Sequence, residues 1–443
     1  MRKILSRILV MVLLASVVLM AVTPAAAYEE KIPFAGEDNE LTKDELSSAI
    51  CTYMLYEGGL SDDVGDASYV YAYWGGKPRT ITDMTDRTVT LYRPPETIVP
   101  MSQGLIDQTM VAFGIEDRIV GYSSCGKITD CDTSGYLAIN DTTDPYKGSW
   151  HIGSILYPKM IELPWVGKID AGINYESVAT LCPDLVIIRI TCCQSEENVK
   201  RATEVIESIG IPVVIIEGPG WGHPNPNEKV IYEDIEVLGE VFDKQEQAQE
   251  LINYLDTQVE FIKGRTSDVP EDEKPKVLYF GLSRRAREKG CAGYVGGVDT
   301  VESVFIEDII NAKNAFSGTG SRTILSAEQV LALNPDVIIL PTWSGFHPPR
   351  ELYEGEAFEN IREIKAIKER RVGSLPAVGC RSERLDFVMT LMIESKHIYP
   401  ERFEDIDLNE FVDEYYKNVF GVSDDQVEKL KLTQRLRWLE IIE

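Results

Sequence analysis

Apolar residues follow two alternating patterns along most of this chain. Short runs of Val, Ile and Leu, apolar at nearly every position, are followed by stretches in which apolar residues recur every three or four positions. The first pattern predicts a strand buried on both faces, and the second an amphipathic helix. Strand-like runs occur at Thr97–Met101, Ile119–Tyr122, Asp184–Ile190, Pro212–Glu217, Val277–Phe280, Val337–Leu340 and Val372–Leu375. Helices are predicted from Met101 to Phe113, over 195–209 and over Leu385–Ile398. A long helical region from Tyr232 to Lys263 carries Ile235, Leu238, Val241, Phe242, Leu251, Leu255 and Phe261 on one stripe, with a break near Asp243-Lys244. Strands alternating with helices predict mostly parallel sheets.

The second half repeats part of the first. Glu176-Ser-Val-Ala-Thr-Leu-Cys-Pro-Asp-Leu-Val-Ile-Ile188 aligns without gaps to Glu328-Gln-Val-Leu-Ala-Leu-Asn-Pro-Asp-Val-Ile-Ile-Leu340. In each copy a short helix stops before Pro-Asp and a buried strand begins, because proline halts helix propagation and β-branched residues follow. The expectation is an α/β protein with two Rossmann-like lobes joined by a long helix. Its spans are 81–230 for the N-terminal lobe, 231–265 for the connector and 266–443 for the C-terminal lobe with its C-terminal helices.

The chain's start reads differently. Arg2, Lys3 and Arg7 precede an apolar run from Ile8 to Val22, and Pro24-Ala-Ala-Ala27 supplies small residues for cleavage before Tyr28. Residues 1–27 are therefore expected to be a signal peptide, which implies an extracytoplasmic location, in a periplasm or at a cell surface. An uncleaved anchor is the alternative reading of the same run. Residues 28–80 form a separate helical appendage, with a helix over Leu41–Leu55 and an aromatic run at Tyr69–Trp74. Asp38 to Glu45 resembles half of a dockerin-type calcium loop, but its first two ligand positions fall on Phe34 and Gly36, so the loop is degenerate. Residues 124–165 are long, polar and irregular, as in an insertion on a binding face.

Composition changes this picture in two ways. A formal net charge of −28 disfavours a nucleic-acid partner, because phosphates are repelled. The cysteines, Cys51, Cys125, Cys131, Cys182, Cys192, Cys193, Cys291 and Cys380, are even in number, which in an exported chain suggests disulfides. Cys51 and Cys182 read as buried helix residues. The other six fall in or near loops at strand ends, where thiolate ligation of a soft metal competes with disulfide formation.

At Ile81-Thr-Asp-Met-Thr-Asp-Arg-Thr-Val-Thr90, Pro95-Glu-Thr-Ile-Val99, Phe113-Gly-Ile-Glu-Asp-Arg-Ile-Val-Gly121, the two Glu-to-Pro-Asp segments and His397-Ile-Tyr-Pro-Glu-Arg-Phe403, the chain resembles a known family. This is the periplasmic-type substrate-binding proteins of iron-siderophore, heme and cobalamin ABC importers. Asp86 stands where that family usually has glycine. The resemblance covers roughly 80–422. It implies a non-enzymatic receptor that hands a small-molecule metal chelate to an ABC importer permease: a ferric siderophore first, heme or a corrinoid next. It also implies permease docking through Glu176 and Glu328, carried over by motif position; helix capping is their ordinary alternative.

In open α/β sheets, ligands bind beyond the carboxyl ends of the strands. That rule selects Ser102, Cys125, Arg189, Trp221, His223, Arg284, Tyr294, Trp343 and Arg381 as a cleft lined by cationic and aromatic groups. Such a lining suits an anionic metal complex, although an arginine in the set can instead bridge an acidic neighbour. The cargo would be an iron or cobalt complex, with no resident cofactor, and the receptor a monomer. His151, His223 and His347 are candidate metal ligands that lack a paired spacing. The rival readings are an exported metal-dependent enzyme using cleft Cys and His residues, and a cell-surface interaction protein tethered by the appendage. Gly121-Tyr-Ser-Ser-Cys-Gly-Lys127 mimics a phosphate loop but has Ile128 where a hydroxyl residue is required.

Overall fold

The computed structural model describes residues 32–55, 61–77, 79–102, 104–124, 152–190, 194–220, 223–282, 292–321, 323–341, 347–376 and 384–436. The chain divides into two compact units, one of residues 1–80 with 90–93 and the other of 81–89 with 94–443. No described helix is long and apolar enough to cross a membrane.

In the first unit, α1 (Lys43–Leu55) and α2 (Ser61–Trp74) close over Ile32, Leu41, Ala67 and Val70, with Phe34, Leu46 and Trp74 against them. Glu45, at the twelfth position of the calcium-like loop, starts α1. Its Oε2 accepts from the backbone N–H of Thr42 at 2.8 Å and from Thr42 Oγ1 at 2.7 Å, and its own N–H returns to that hydroxyl. This reciprocal cap occupies the carboxylate that a calcium loop needs. Among the described residues no group of three or more His, Cys, Asp or Glu is placed to hold a metal ion. Cys51 is exposed, contrary to the sequence expectation, because α1 turns Ala49 inward instead.

A hairpin, β1 (Arg79–Thr82) and β2 (Thr88–Leu91), introduces the second unit. Its turn needs a left-handed residue, and Asp86 supplies it at φ 60°, where the family usually has glycine. The buried Asp83 carboxylate accepts from the N–H groups of Thr85 and Arg87 and, through its other oxygen, from Ile215. The turn is thereby fixed to the sheet beneath it.

The N-terminal lobe is built on β3 (Ile98–Met101), followed by α3 (Leu105–Ala112). Next come α4 (Tyr175–Leu181), β4 (Leu185–Ile190), α5 (Glu196–Ser208) and β5 (Val213–Glu217). The strands run parallel in the order β3-β4-β5, with Val99 opposite Val186 and Val186 opposite Val213. Val186, Ile188, Val213 and Ile215 lie in one core with Val199 and Ile206 of α5. Each fully buried aliphatic side chain of this kind contributes roughly 1.5–3 kcal/mol. The run Ile119–Tyr122, expected as a strand, makes only isolated parallel bridges: Ile119 meets Ile98 and Ser123 meets Met101. Most of the polar insertion, residues 125–151, lies outside the described residues.

The helical region after β5 is two helices, α6 (Glu228–Phe242) and α7 (Gln245–Thr266), separated at Asp243, which is left-handed at φ 58°. Lys263 Nζ lies 3.2 Å from Glu228 Oε1, so the far end of α7 lies beside the start of α6. The two helices are therefore antiparallel. The span 231–265 expected as a connector divides accordingly: α6 packs on β5 of the N-terminal lobe, with its Tyr232 ring 6.5 Å from that of Phe387, and α7 makes the larger contact with the second lobe.

There β6 (Lys276–Tyr279), β7 (Gly293–Val295), β8 (Lys313–Asn314), β9 (Thr323–Leu325), α8 (Ala327–Leu333) and β10 (Val337–Leu340) follow in turn. The lobe continues through α9 (Arg350–Glu354), β11 (Val372–Ser374) and α10 (Phe387–Ile398). The main sheet is parallel in the order β8-β6-β10-β11, and β7 and β9 pair antiparallel beside it. The repeat seen in the sequence is structural. Cys182 and Asn334 both end their helices left-handed, at φ 43° and 39°, before Pro-Asp and a buried strand. That termination leaves Cys182 exposed instead of buried in the helix.

The last helices, α11 (Leu408–Phe420) and α12 (Asp424–Thr433), return toward the first lobe, α11 packing on α3. Beside that contact the N–H of Leu385 donates to Gln108 Oε1 at 2.8 Å, and the hydroxyl of Tyr415 donates to the Leu385 carbonyl. Two separate segments, α7 and the C-terminal helices, therefore join the lobes.

Candidate binding site

The carboxyl ends of the parallel strands carry the candidate residues, and the sequence determines how each is held. Ser102 follows β3. Its buried hydroxyl accepts from the N–H of Gly104 at 3.1 Å and lies 3.4 Å from Asp107 Oδ1. Burial pushes the Asp107 carboxyl up to about 7 even though Arg384 lies nearby.

Arg189 does not face a cleft. It sits in β4 with its side chain fully buried, and its Nε lies 2.8 Å from the equally buried Asp234 Oδ2 of α6. The alternation of the strand turns Arg189 toward α6, so its charge is neutralised inside the lobe. Gly218, after β5, lies flat on the guanidinium: a side chain there would stand 2.9 Å from Cζ. Burial pushes Asp234 up to about 7, against the pull of Arg189.

His223 is held at the edge of the same lobe. Its Nδ1 accepts from the N–H of Asn225 at 3.1 Å, and its Nε2 lies 3.9 Å from Glu217 Oε2. An imidazole accepting at Nδ1 carries its proton on Nε2 when neutral, facing that carboxylate. In the second lobe Tyr294 lies half-buried in β7, bridged to Gly281 just beyond β6. Cys125, Trp221, Arg284, Trp343 and Arg381 lie outside the described residues, as do His151 and the cysteines other than Cys51 and Cys182.

One pair was not selected from the sequence as a unit. His347, just beyond β10, is buried, and its Nδ1 lies 2.6 Å from the buried Glu351 Oε2 of α9. The available signal was the spacing of His347 and Glu351 across the start of a helix opened by Pro348-Pro349.

Glu176 and Glu328 occupy the same position in their helices, the second residue after the cap. Asn174 caps α4 and Ser326 caps α8, each accepting from the amide three residues on. Both glutamates are exposed. Glu176 borders an open depression shared with Pro164, Asn174 and Leu181. At Glu328 the residue's own backbone N–H, and then the Ser326 hydroxyl, hold the carboxyl below its usual range.

Residues 162–378 match the family model described as periplasmic binding protein. Just under half of the chain is thus similar to that family. The match is to a family of binding proteins and agrees with the class the sequence resembles, the substrate-binding proteins of ABC importers. Over 331 residues the chain is 25% identical to YvrC of Bacillus subtilis (strain 168), an uncharacterized ABC transporter substrate-binding lipoprotein, covering 74% of this chain and 88% of that protein. It is 26% identical over 287 residues to the molybdate-binding protein MolA of Haemophilus influenzae, covering 60% of this chain and 75% of the relative.

Solved structures agree on the fold. A periplasmic solute binding protein from Veillonella parvula superposes with a TM-score of 0.62 at 22% identity, covering 82% of this chain and all of that one. Helicobacter pylori CeuE, in a nickel–histidine complex, gives a TM-score of 0.57 at 19% identity, covering 80% and 98%.

Proposed function

We infer that this protein works outside the membrane as the receptor of an ABC importer, capturing a small metal complex between its lobes and presenting it to the permease. Its relatives act on different cargoes: MolA is a molybdate-binding protein, and CeuE is seen with nickel and histidine. The cargo proposed here is a chelated metal cation. A ferric siderophore is the first candidate, followed by heme, a corrinoid or a nickel complex.

The observation that carries this reading is the matched corner of the two lobes. Each places an exposed glutamate, Glu176 or Glu328, at the same turn of a capped helix leading into a buried parallel strand. Two separated negative charges orient a partner that offers two positive ones, and the remainder of an acidic chain adds little specificity to that choice. The carboxyl ends of the same strands lead to the cleft loops.

His223, after β5, and Tyr294, bridged to Gly281 beyond β6, are the described residues proposed to meet the ligand. Arg189 is not among them, because its charge is used by Asp234.

The test is to express residues 28–443 and screen ferric siderophores, heme, corrinoids, nickel–histidine and molybdate by intrinsic fluorescence. Saturable binding of one metal complex, together with stimulation of a reconstituted permease's ATPase activity, is the expected result. Binding of molybdate alone would replace the chelate reading with an oxyanion one. Turnover of a bound complex would replace the receptor with an enzyme.

A further inference from the structure

We propose that the outward face of helix α1 in the appendage is a self-association surface, on which α1 of a second copy of this chain packs antiparallel. The inference concerns the appendage alone and is independent of the receptor reading. It replaces the monomer expected from the sequence with a weak dimer.

Helix α1 carries two apolar stripes. On one, Ala49 is buried and Leu46 packs on the core around Ile32, Leu41, Ala67 and Val70. The other consists of Ser47, Ile50, Cys51, Met54 and Leu55. Their spacing of i, i+3, i+4, i+7 and i+8 places them together on a single helix face. All five are exposed, Met54 and Leu55 to 76% each. Elsewhere among the described residues the large exposed apolar side chains fall singly along the chain or, as at Tyr69 and Tyr73, stack on each other. An apolar stripe at this spacing is what one helix offers another, and an exposed cluster of such residues marks an interaction surface.

Charge and shape both select a second copy as the partner. The chain has a formal net charge of −28, so two copies repel each other wherever acidic surfaces meet. Asp, Glu, Lys and Arg make up 26% of the chain, yet none of them occurs from Leu46 to Leu55. This stretch of α1 can therefore approach its own copy without bringing like charges together. The stripe is also self-complementary in size. It begins small, at Ser47 and the flanking Ser48, and ends large, at Met54 and Leu55. A two-fold axis beside Cys51 sets the serines of each helix against Met54 and Leu55 of the other, so large side chains meet small ones along the seam. The same axis runs the two helix dipoles in opposite directions. A bilayer suits this face less well: helices that lie on membranes surround their apolar face with Lys and Arg, whereas Asp44 and Glu45 stand in the first turn of α1. At a length of about 20 Å, α1 makes a small contact, so the pairing is concentration-dependent instead of permanent.

The test uses residues 28–443. Sedimentation velocity should show a dimer whose fraction rises over roughly 1–100 µM. Bismaleimidoethane, a short reagent that joins two thiols, should link Cys51 to Cys51, and mass spectrometry should identify that cross-linked peptide. Ile50→Glu and Met54→Glu should each weaken association about tenfold or more, because the two-fold axis brings two carboxylates into one apolar seam. Circular dichroism of both variants should match the parent.

A chain that stays monomeric throughout this range overturns the proposal. So does a dimer that survives both substitutions, or one whose cross-link avoids Cys51. Binding of a monomer to phosphatidylcholine vesicles, if it is lost in Met54→Glu, assigns the face to a lipid surface and overturns the proposal as well.

Discussion

Asp184 and Asp336 do the same work in the two lobes. Asp184 Oδ2 accepts from the N–H groups of Glu96 and Thr97, both at 2.9 Å, at the entry to β3. Asp336 Oδ2 accepts from the N–H of Lys276 at 2.8 Å, at the start of β6. Each Pro-Asp corner thus ties the beginning of its own strand to the beginning of the strand it pairs with. The expected result of Asp184→Ala or Asp336→Ala is a loss of about 1–3 kcal/mol, because amides at a strand start are left without an acceptor. Urea unfolding measures it, and Asp336→Ala should cost less if Lys365, 2.7 Å from the other oxygen, contributes little at the surface.

The buried Arg189–Asp234 pair should behave asymmetrically. Arg189→Met leaves an uncompensated carboxylate in the core and should destabilise by about 3–5 kcal/mol. Combining it with Asp234→Leu should recover much of that loss. Chemical denaturation of the single and double variants checks both, and equal losses would show that the pair acts through packing alone.

Asp107 sets a pH dependence. Burial raises its carboxyl from the ordinary 3.8 to about 7 in the native chain. Between those values the native state retains a proton that the unfolded chain has released, so this group makes stability fall as pH rises through that window. Asp107→Asn removes the titration. Its stability relative to the parent should therefore improve from pH 5 to pH 7, at about 1 kcal/mol per unit. Thermal melts across that range read it directly.

Gly373 in β11 lies against the ring of His397: a Cβ there would stand 2.4 Å from the ring's Cδ2. The His397 ring is half-buried and desolvation lowers its pKa to about 4, so it stays neutral at ordinary pH. Gly373→Ala should cost about 1–3 kcal/mol through overpacking. A lowered melting temperature with unchanged secondary structure is the expected signature.

Permease docking makes a separable prediction. Glu176→Arg with Glu328→Arg should leave cargo affinity within about twofold while abolishing stimulation of the permease, since charge reversal at two exposed sites repels a basic partner. Loss of cargo binding instead would remove the docking role from these residues.

The strands were legible because parallel strands buried on both faces are apolar at every position, as at Val337–Leu340, which the structure reproduces residue for residue. The repeat was legible because helix stop, proline and buried strand follow one another locally. Arg189 was misplaced because its partner Asp234 is remote in sequence, and a strand's alternation does not reveal which face is solvent when both are covered. Cys182 was misplaced because the left-handed residue that ends α4 is usually glycine or asparagine, as Asn334 is in the second lobe. The His347–Glu351 contact depends on α9 beginning where it does, and a proline pair marks such a start only loosely.

The return of α11 onto α3 sets an order of events at the ribosome. Helix α3 follows the first strand of the first lobe, yet its covering partner is encoded near the end of the chain. The first lobe cannot bury that surface until residues 408–420 have been synthesised, so its covering is completed only after the second lobe's strands have been made.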